Sequence, residues 1–293
     1  MRADAVPTRD AGAEGGSAAA CAPNVRAAFP LILAAGATPA GRAQLGAAFR
    51  TCAPLNVSDD AVALAFWVRA AWDALAMGSY PYPSNYLTGG GDVYLPAYPV
   101  RAACGALAAP LKGAPLLEGL REAIGIIYNA SGDLDCFEVD VNPYTHPAAP
   151  YDGLWDVQQC TEMQPDSQWF ASNGVSDMFF PAPRNLSFVA EHCRAAWGLT
   201  PAWTWISTRY ALPSFRGASN IVFTNGLMDP WSGASLESSP APERDLVVLN
   251  ISWAGHHLDL FFSDPKDPAS VRQARAQELG FISKWVQQAR ALR

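Results

Sequence analysis

Two short, uninterrupted apolar runs in the last third of the chain constrain its fold more than any other feature. Residues 219–224 (SNIVFT) stop at Asn225 and Gly226, and residues 245–251 (DLVVLNI) form the second run. Apolar runs of this length are typical of strands that are buried on both faces of a parallel sheet. Asp267 and Pro268 then predict the start of a closing helix, as its N-cap and first helical residue. The order strand, loop, strand, loop, helix therefore predicts that the last third of the chain forms the final part of an α/β sheet.

Helical periodicity dominates the earlier part, and residues 22–135 are predicted to form a helical unit. Ser58 is the expected N-cap of a helix that runs to about Met77, because two acidic residues follow it. A second helix is predicted over residues 116–129, and a third over residues 187–197, where Gly198 ends it.

Two segments have little periodicity. Residues 140–183 are rich in proline, aspartate and aromatic residues, which favours a long structured loop of the kind that carries binding residues. The first sixteen residues are polar and lack the apolar stretch of a signal peptide, so a disordered leader is expected over residues 1–20.

Composition excludes several classes of protein. Hydrophobic residues make up 50% of the chain and charged residues 16%, which excludes disorder over most of it. The net charge of -7 and the lack of a basic block argue against nucleic acid as a partner. No uncharged apolar run approaches the roughly 18–20 residues that a membrane helix needs, so no membrane association is expected.

Cysteines and glycosylation sequons both bear on the compartment. The six cysteines are dispersed, without a C-x-x-C pair, and fit either three disulfides or six buried thiols. Four N-x-[ST] sequons occur where about one is expected by chance, which favours the secretory pathway. The candidate glycosylation sites are Asn56, Asn129, Asn185 and Asn250.

Asp229 and His256 are the candidate catalytic residues. Each follows one of the two predicted strands, and ligands of α/β sheets bind at the carboxyl ends of strands. In α/β-hydrolases the acid follows one strand and the histidine the next, after a serine earlier in the chain. A turn aspartate and a polar histidine loop are the alternatives. A zinc site would have few further histidines, namely His146 and His192, and neither a metal nor a cofactor is expected.

A nucleophile is missing from the pattern, because no G-x-S-x-G occurs in the chain. The nearest approach surrounds Ser17, and it lacks the apolar strand that holds the strained turn of a nucleophile elbow. Ser79 and Ser232 lack both the strand and the surrounding glycines of the G-x-S-x-G pattern, which lie two residues before and two residues after the serine.

Six stretches, taken in order, resemble the serine exopeptidases that comprise lysosomal Pro-X carboxypeptidase, dipeptidyl peptidase II and thymus-specific serine protease. They span the chain from about Cys21 to its end and read MGSYPYP, YNASG, WDVQQCTE, SNGVSDMF, SNIVFTNGLMDPWSG and GHHLDL. The resemblance implies an α/β fold, with an incomplete α/β-hydrolase domain and a mostly helical cap. The cap would occupy residues 21–199 and the last part of the hydrolase domain residues 200–293.

The resemblance also implies roles for single residues. Asp229 and His256 would complete the triad, and Trp231 would line the pocket for a proline-like side chain. The first of the two adjacent histidines is the triad member, and the imidazole of His257 is expected to point away from it. The family's G-G-S-Y-G-G elbow should precede Cys21, where the chain matches nothing. The implied disulfides are Cys21–Cys104, Cys52–Cys136 and Cys160–Cys193.

Two functions follow as expectations. The first is a serine-type exopeptidase, either a proline-directed dipeptidyl peptidase or a Pro-X carboxypeptidase, that is inactive without its nucleophile segment. The second is a non-catalytic secreted fragment that binds peptides or a partner. Peptides with proline near the cleaved end and a second copy of the chain are the expected partners, in the lysosome, the vacuole or outside the cell. The candidates for binding the substrate terminus are Asp140, Asp152, Asp156 and Arg184.

Overall fold

The computed structural model describes residues 5–139, 153–163, 172–183, 185–212 and 214–291. Within these ranges the fold is mostly helical, with one sheet of two strands. The helices are α1 (Ala5–Asp10), α2 (Cys21–Gly36), α3 (Pro39–Phe49), α4 (Ser58–Met77), α5 (Pro99–Gly105), α6 (Gly113–Tyr128), α7 (Gly153–Gln158), α8 (Leu186–Trp197), α9 (Trp205–Arg209) and α10 (Ala269–Ala291). The strands are β1 (Ile221–Gly226) and β2 (Leu246–Ile251).

The main hydrophobic core lies among helices α2 to α6. Phe29 of α2, Trp72 of α4 and Leu120 of α6 are fully buried in it. Two disulfides tie this unit together, Cys21–Cys104 between α2 and α5, and Cys52–Cys136 beside α4. The third, Cys160–Cys193, joins the segment after α7 to α8. These are the pairs that the resemblance implies.

The two strands pair in parallel, as the apolar runs predict, with Ile221 opposite Leu246 and Gly226 opposite Ile251. A second, smaller core lies beneath the ends of the strands, where Tyr80, Ile251 and Leu258 pack against α10. The sheet therefore contacts both the helical unit and the last helix.

Two helix starts differ from the sequence expectation by one position. Val57 is the N-cap of α4 and Ser58 its first residue, while the Asp60 carboxylate accepts from the Val57 N–H. α10 begins at Ala269, because the Asp267 carboxylate accepts from Asp264 N–H and pairs with an arginine of α10 instead of capping the helix.

The expectation of a disordered leader is wrong for residues 5–20. α1 folds there, and Val6 is fully buried. Thr8 Oγ1 accepts from the Met178 N–H at 2.8 Å, and Ser17 Oγ donates to the Asp10 carbonyl at 2.6 Å. Long-range contacts, which polar composition does not reveal, hold this segment. None of the described helices is long and apolar enough to cross a membrane.

Candidate active site

The carboxyl ends of β1 and β2 lie side by side, and each leads into a tight turn that carries one candidate residue. After β1, the Asp229 N–H donates to the Gly226 carbonyl, and a 3-10 helix begins at Pro230. After β2, the chain turns through Gly255 to His256. Parallel pairing thus brings two residues together that are far apart in sequence.

Glycine is required where these turns approach their neighbours. A Cβ on Gly226 would lie 2.5 Å from the Gly255 carbonyl oxygen, and a Cβ on Gly255 would lie 2.7 Å from the Met77 carbonyl oxygen. Both neighbours are backbone atoms, which cannot rotate away. The two turns and the end of α4 therefore pack more closely than any residue with a side chain permits.

Asp229 and His256 form a direct hydrogen bond. His256 Nδ1 lies 2.7 Å from Asp229 Oδ2, which is the contact expected from the sequence. The other carboxylate oxygen accepts from the Trp231 N–H at 3.1 Å, so the carboxylate is fixed at both ends. Because a carboxylate accepts hydrogen bonds, Nδ1 of His256 carries a proton, and in the neutral form of the imidazole Nε2 is then an acceptor.

The backbone of His256 is anchored to the segment that follows α4. Its N–H donates to the Met77 carbonyl at 2.9 Å, and its carbonyl accepts from the Tyr80 hydroxyl at 2.8 Å. Burial raises the pKa of Tyr80 far above its usual range, with smaller contributions from Tyr86 and Asp229. The phenol therefore remains a hydrogen-bond donor to this loop.

The expectation that the two imidazoles diverge is wrong. The ring centroids of His256 and His257 are 3.7 Å apart. Alternation requires extended backbone, and His257 is in the left-handed region with φ 56°. Desolvation and the neighbouring His256 lower the pKa of His257. His257 lacks the contact with Asp229, which belongs to His256.

Trp231 lies in an apolar corner beside the pair. Its indole Nε1 is 3.3 Å from the Met77 sulfur, and its ring meets Trp155 edge-on, with centroids 5.9 Å apart. All three side chains are partly exposed. Sequence analysis singled out Trp231 alone, because the other two come from segments that only the fold brings near.

Comparison with known proteins shows a family that this sequence matches. Residues 9–278 match the model of the family described as serine carboxypeptidase S28. The chain belongs to that family. Human (Homo sapiens) lysosomal Pro-X carboxypeptidase is 34% identical over 269 residues, which cover 91% of this chain and 51% of the relative. Mouse (Mus musculus) thymus-specific serine protease is 26% identical over 270 residues, or 85% of this chain and 48% of the relative.

The extent of the match corrects one expectation and bounds another. The S28 match begins at residue 9, so the residues before Cys21 do not all lie outside the resemblance. The chain spans about half the length of the curated relatives that it matches.

Among the described residues of this S28 member, no serine hydroxyl is bonded to His256. Ser17 Oγ donates to the Asp10 carbonyl instead. The hydroxyls of Ser79 and Ser232 are buried without a hydrogen-bond partner. The structure therefore shows a hydrogen-bonded Asp229–His256 pair to which no described serine is bonded.

Asp156 is engaged elsewhere, in a second Asp–His pair that sequence analysis missed. It is 1% exposed, lies 2.9 Å from His192 Nε2, and accepts from Trp197 Nε1 at 2.8 Å. These contacts join α7 to α8 and take up the carboxylate. Cys160 lies close enough to complete a metal-ligand set, but its sulfur is in the disulfide with Cys193.

The other candidates for the substrate terminus, Asp140, Asp152 and Arg184, lie outside the described residues, as does His146. The sequon residues Asn56, Asn185 and Asn250 are exposed, and Asn129 is half-buried. Glycosylation at these four positions stays a prediction.

Proposed function

We propose that Asp229 and His256 are the acid and base of a serine-peptidase triad that hydrolyses peptide bonds next to proline. The observation that carries this is the 2.7 Å bond between them in a member of the S28 family. His256 Nε2 would take the serine proton and then return it to the leaving amine. Asp229 would orient the imidazole and stabilise its charged form.

The nucleophile would belong to the part of the relatives' length that this chain does not span. On this proposal, residues 200–293 are the last part of an α/β-hydrolase domain and residues 21–199 its helical cap. Residues 5–20 would be part of the packed structure and not a leader, because α1 contacts the turn that carries Asp229 through Arg9, which donates to the Leu227 carbonyl.

Trp231, Trp155 and Met77 would receive the proline ring. Flat aromatic faces and a thioether suit a rigid, apolar pyrrolidine. Curated relatives that are more than 30% identical are named Pro-X carboxypeptidases, which supports proline beside the cleaved bond.

The three disulfides and the lysosomal relatives support a secretory-pathway or lysosomal location. A second copy of the chain as partner stays a prediction. Peptide binding without catalysis is the second candidate function. It is favoured by the partly exposed aromatic corner of Trp155 and Trp231 and by the fact that no described serine is bonded to His256.

The decisive experiment measures hydrolysis of Xaa-Pro substrates and labelling by an organophosphonate probe. We expect neither from the chain alone. Co-expression with the part of human lysosomal Pro-X carboxypeptidase that lies outside the matched region should restore both. His256→Ala should abolish the restored hydrolysis and His257→Ala should retain it. Labelling of a serine in the isolated chain would contradict the assignment, and proline-peptide binding without restored hydrolysis would favour the second function.

A further inference from the structure

We infer that Arg275 of α10 is a positioning residue for His256. The inference rests on the proposed role of His256, but it concerns the geometry of the loop and can be tested without hydrolysis. His256 and His257 lie in one loop, which is anchored at two points. The upstream anchor is the pair of bonds that the His256 backbone makes with Met77 and Tyr80.

The downstream anchor is the guanidinium of Arg275. The 3-10 helix Leu258–Leu260 follows the histidines directly, and its first two carbonyls contact α10. Arg275 Nη2 donates to the Leu258 carbonyl and Nε donates to the Asp259 carbonyl, both at 2.7 Å. One planar fork thus holds two successive carbonyls, which no lysine can do with the same geometry.

A buried carboxylate orients this fork. Arg275 Nη1 lies 2.6 Å from Asp267 Oδ2, and the Asp267 side chain is fully buried. The Asp267 carboxylate also accepts from the Asp264 N–H at 2.9 Å. Because all three nitrogens of the guanidinium are engaged and its side chain is only 16% exposed, the fork is held in one orientation.

His257, between the two anchors, has the left-handed backbone that lets the chain reverse there. Releasing the downstream anchor would let the loop pivot about His257 and would loosen the bond from His256 Nδ1 to Asp229. Arg275 does not act on His256 through its charge, because its contacts with the loop are hydrogen bonds to backbone carbonyl oxygens. Arg275 therefore fixes the direction of the imidazole through the backbone.

The test is proton NMR of the full chain, in which the His256 Nδ1 proton bonded to Asp229 is observed directly. Arg275→Lys should keep the fold, judged by near-UV circular dichroism, and should speed exchange of this proton with water about tenfold. Arg272→Lys is the matched control, because Arg272 lies on the same helix and donates to the Asp267 carbonyl. It should leave the exchange rate within about twofold of the wild type.

A second variant separates positioning from stability. Asp267→Asn removes the charge of the pair but keeps a side-chain oxygen that can accept from Arg275, so the fork keeps its orientation and its bonds to the two carbonyls. It should therefore lower the unfolding temperature and change the exchange of the His256 proton far less than Arg275→Lys. Equal exchange in Arg275→Lys and Arg272→Lys would overturn the inference, as would equal loosening in Asp267→Asn. If Arg275→Lys does not fold, Arg275→Gln takes its place with the same expectations. Failure of the serine-peptidase assignment would leave all of these readings unchanged.

Discussion

At the scale of single residues, close backbone approach decides where the candidate site can form. Gly226 and Gly255 let the two turns meet, and each would clash with a carbonyl oxygen if it carried a Cβ. Because the turns are so close, the side chains of Asp229 and His256 are long enough to form a hydrogen bond. The position of the Asp229–His256 pair is thus set by two residues without side chains.

Gly255→Ala should destabilise the chain by about 1–3 kcal/mol, because the added methyl meets the Met77 carbonyl oxygen and the backbone nitrogen and oxygen of Ser79. Gly280→Ala is the matched control. Gly280 lies within α10 with nothing near its missing Cβ, so alanine there should stabilise by up to about 1 kcal/mol. Urea unfolding followed by circular dichroism measures both, and equal effects of the two substitutions would contradict the argument.

Asp10 predicts a dependence of stability on pH. It is 1% exposed, and burial raises its pKa to about 7, although Arg9 opposes the shift. Below pH 3.8 the Asp10 carboxyl is mostly protonated in both the folded and the unfolded chain, so its burial as a charged group costs no stability there. As the pH rises from 3.8 to 7, the unfolded chain releases this proton first and stability falls, by about 4 kcal/mol in all.

The control for this pH prediction is Asp10→Asn, which cannot ionise. In urea unfolding it should match the wild type near pH 4 and exceed its stability at pH 7.5. A wild type that is no less stable relative to the variant at pH 7.5 than at pH 4 would show that Asp10 is ionised without cost. Greater stability in acid would suit the proposed compartment.

At the scale of elements, the sequence predicts the helices and strands whose structure is determined by their own residues. The helix that ends at Met77 has helical periodicity and an acidic first turn, and the two strands are uninterrupted apolar runs. Because the strands are parallel, the positions of Asp229 and His256 follow from the strands alone. For the Asp229–His256 pair, the sequence therefore predicts both the two residues and the contact between them.

Elements that depend on distant contacts could not be predicted. α1 has six residues and α7 also six, which is too short for a helix that must stand on its own periodicity. α7 is held to α8 by Asp156, and α1 by contacts with residues near 178 and 227. The left-handed His257 was missed for the same reason, since its backbone is fixed by its neighbours in the fold.

The Cys52–Cys136 disulfide gives a prediction at this scale. It joins the segment before α4 to the segment after α6 across 84 residues, and both cysteines are exposed. Cys52→Ser with Cys136→Ser leaves no cavity, so the loss should be mainly that of loop closure, about 4–5 kcal/mol. Urea unfolding of the variant and the wild type under non-reducing conditions measures it. A loss under about 1 kcal/mol would contradict the loop-closure estimate.

At the scale of the whole molecule, the outer side of α10 carries an exposed apolar stripe. Leu279, Ile282 and Val286 recur at helical spacing and are 65%, 51% and 44% exposed. Near the candidate site, Leu260 and Phe262 are 71% and 99% exposed. A continuous stripe of this kind favours association in water, whereas single exposed apolar residues do not.

The chain should therefore self-associate as its concentration rises, through the α10 stripe. Leu279→Glu with Ile282→Glu should shift sedimentation toward monomer without lowering the unfolding temperature, because both side chains already face solvent. The matched control is Gln277→Glu with Gln287→Glu, which adds the same charge to exposed positions of α10 outside the stripe. Since the net charge is equal in the two variants, electrostatic repulsion between copies is matched. Equal dissociation in both would assign the effect to charge, and a wild type that stays monomeric throughout would show that the stripe does not drive association.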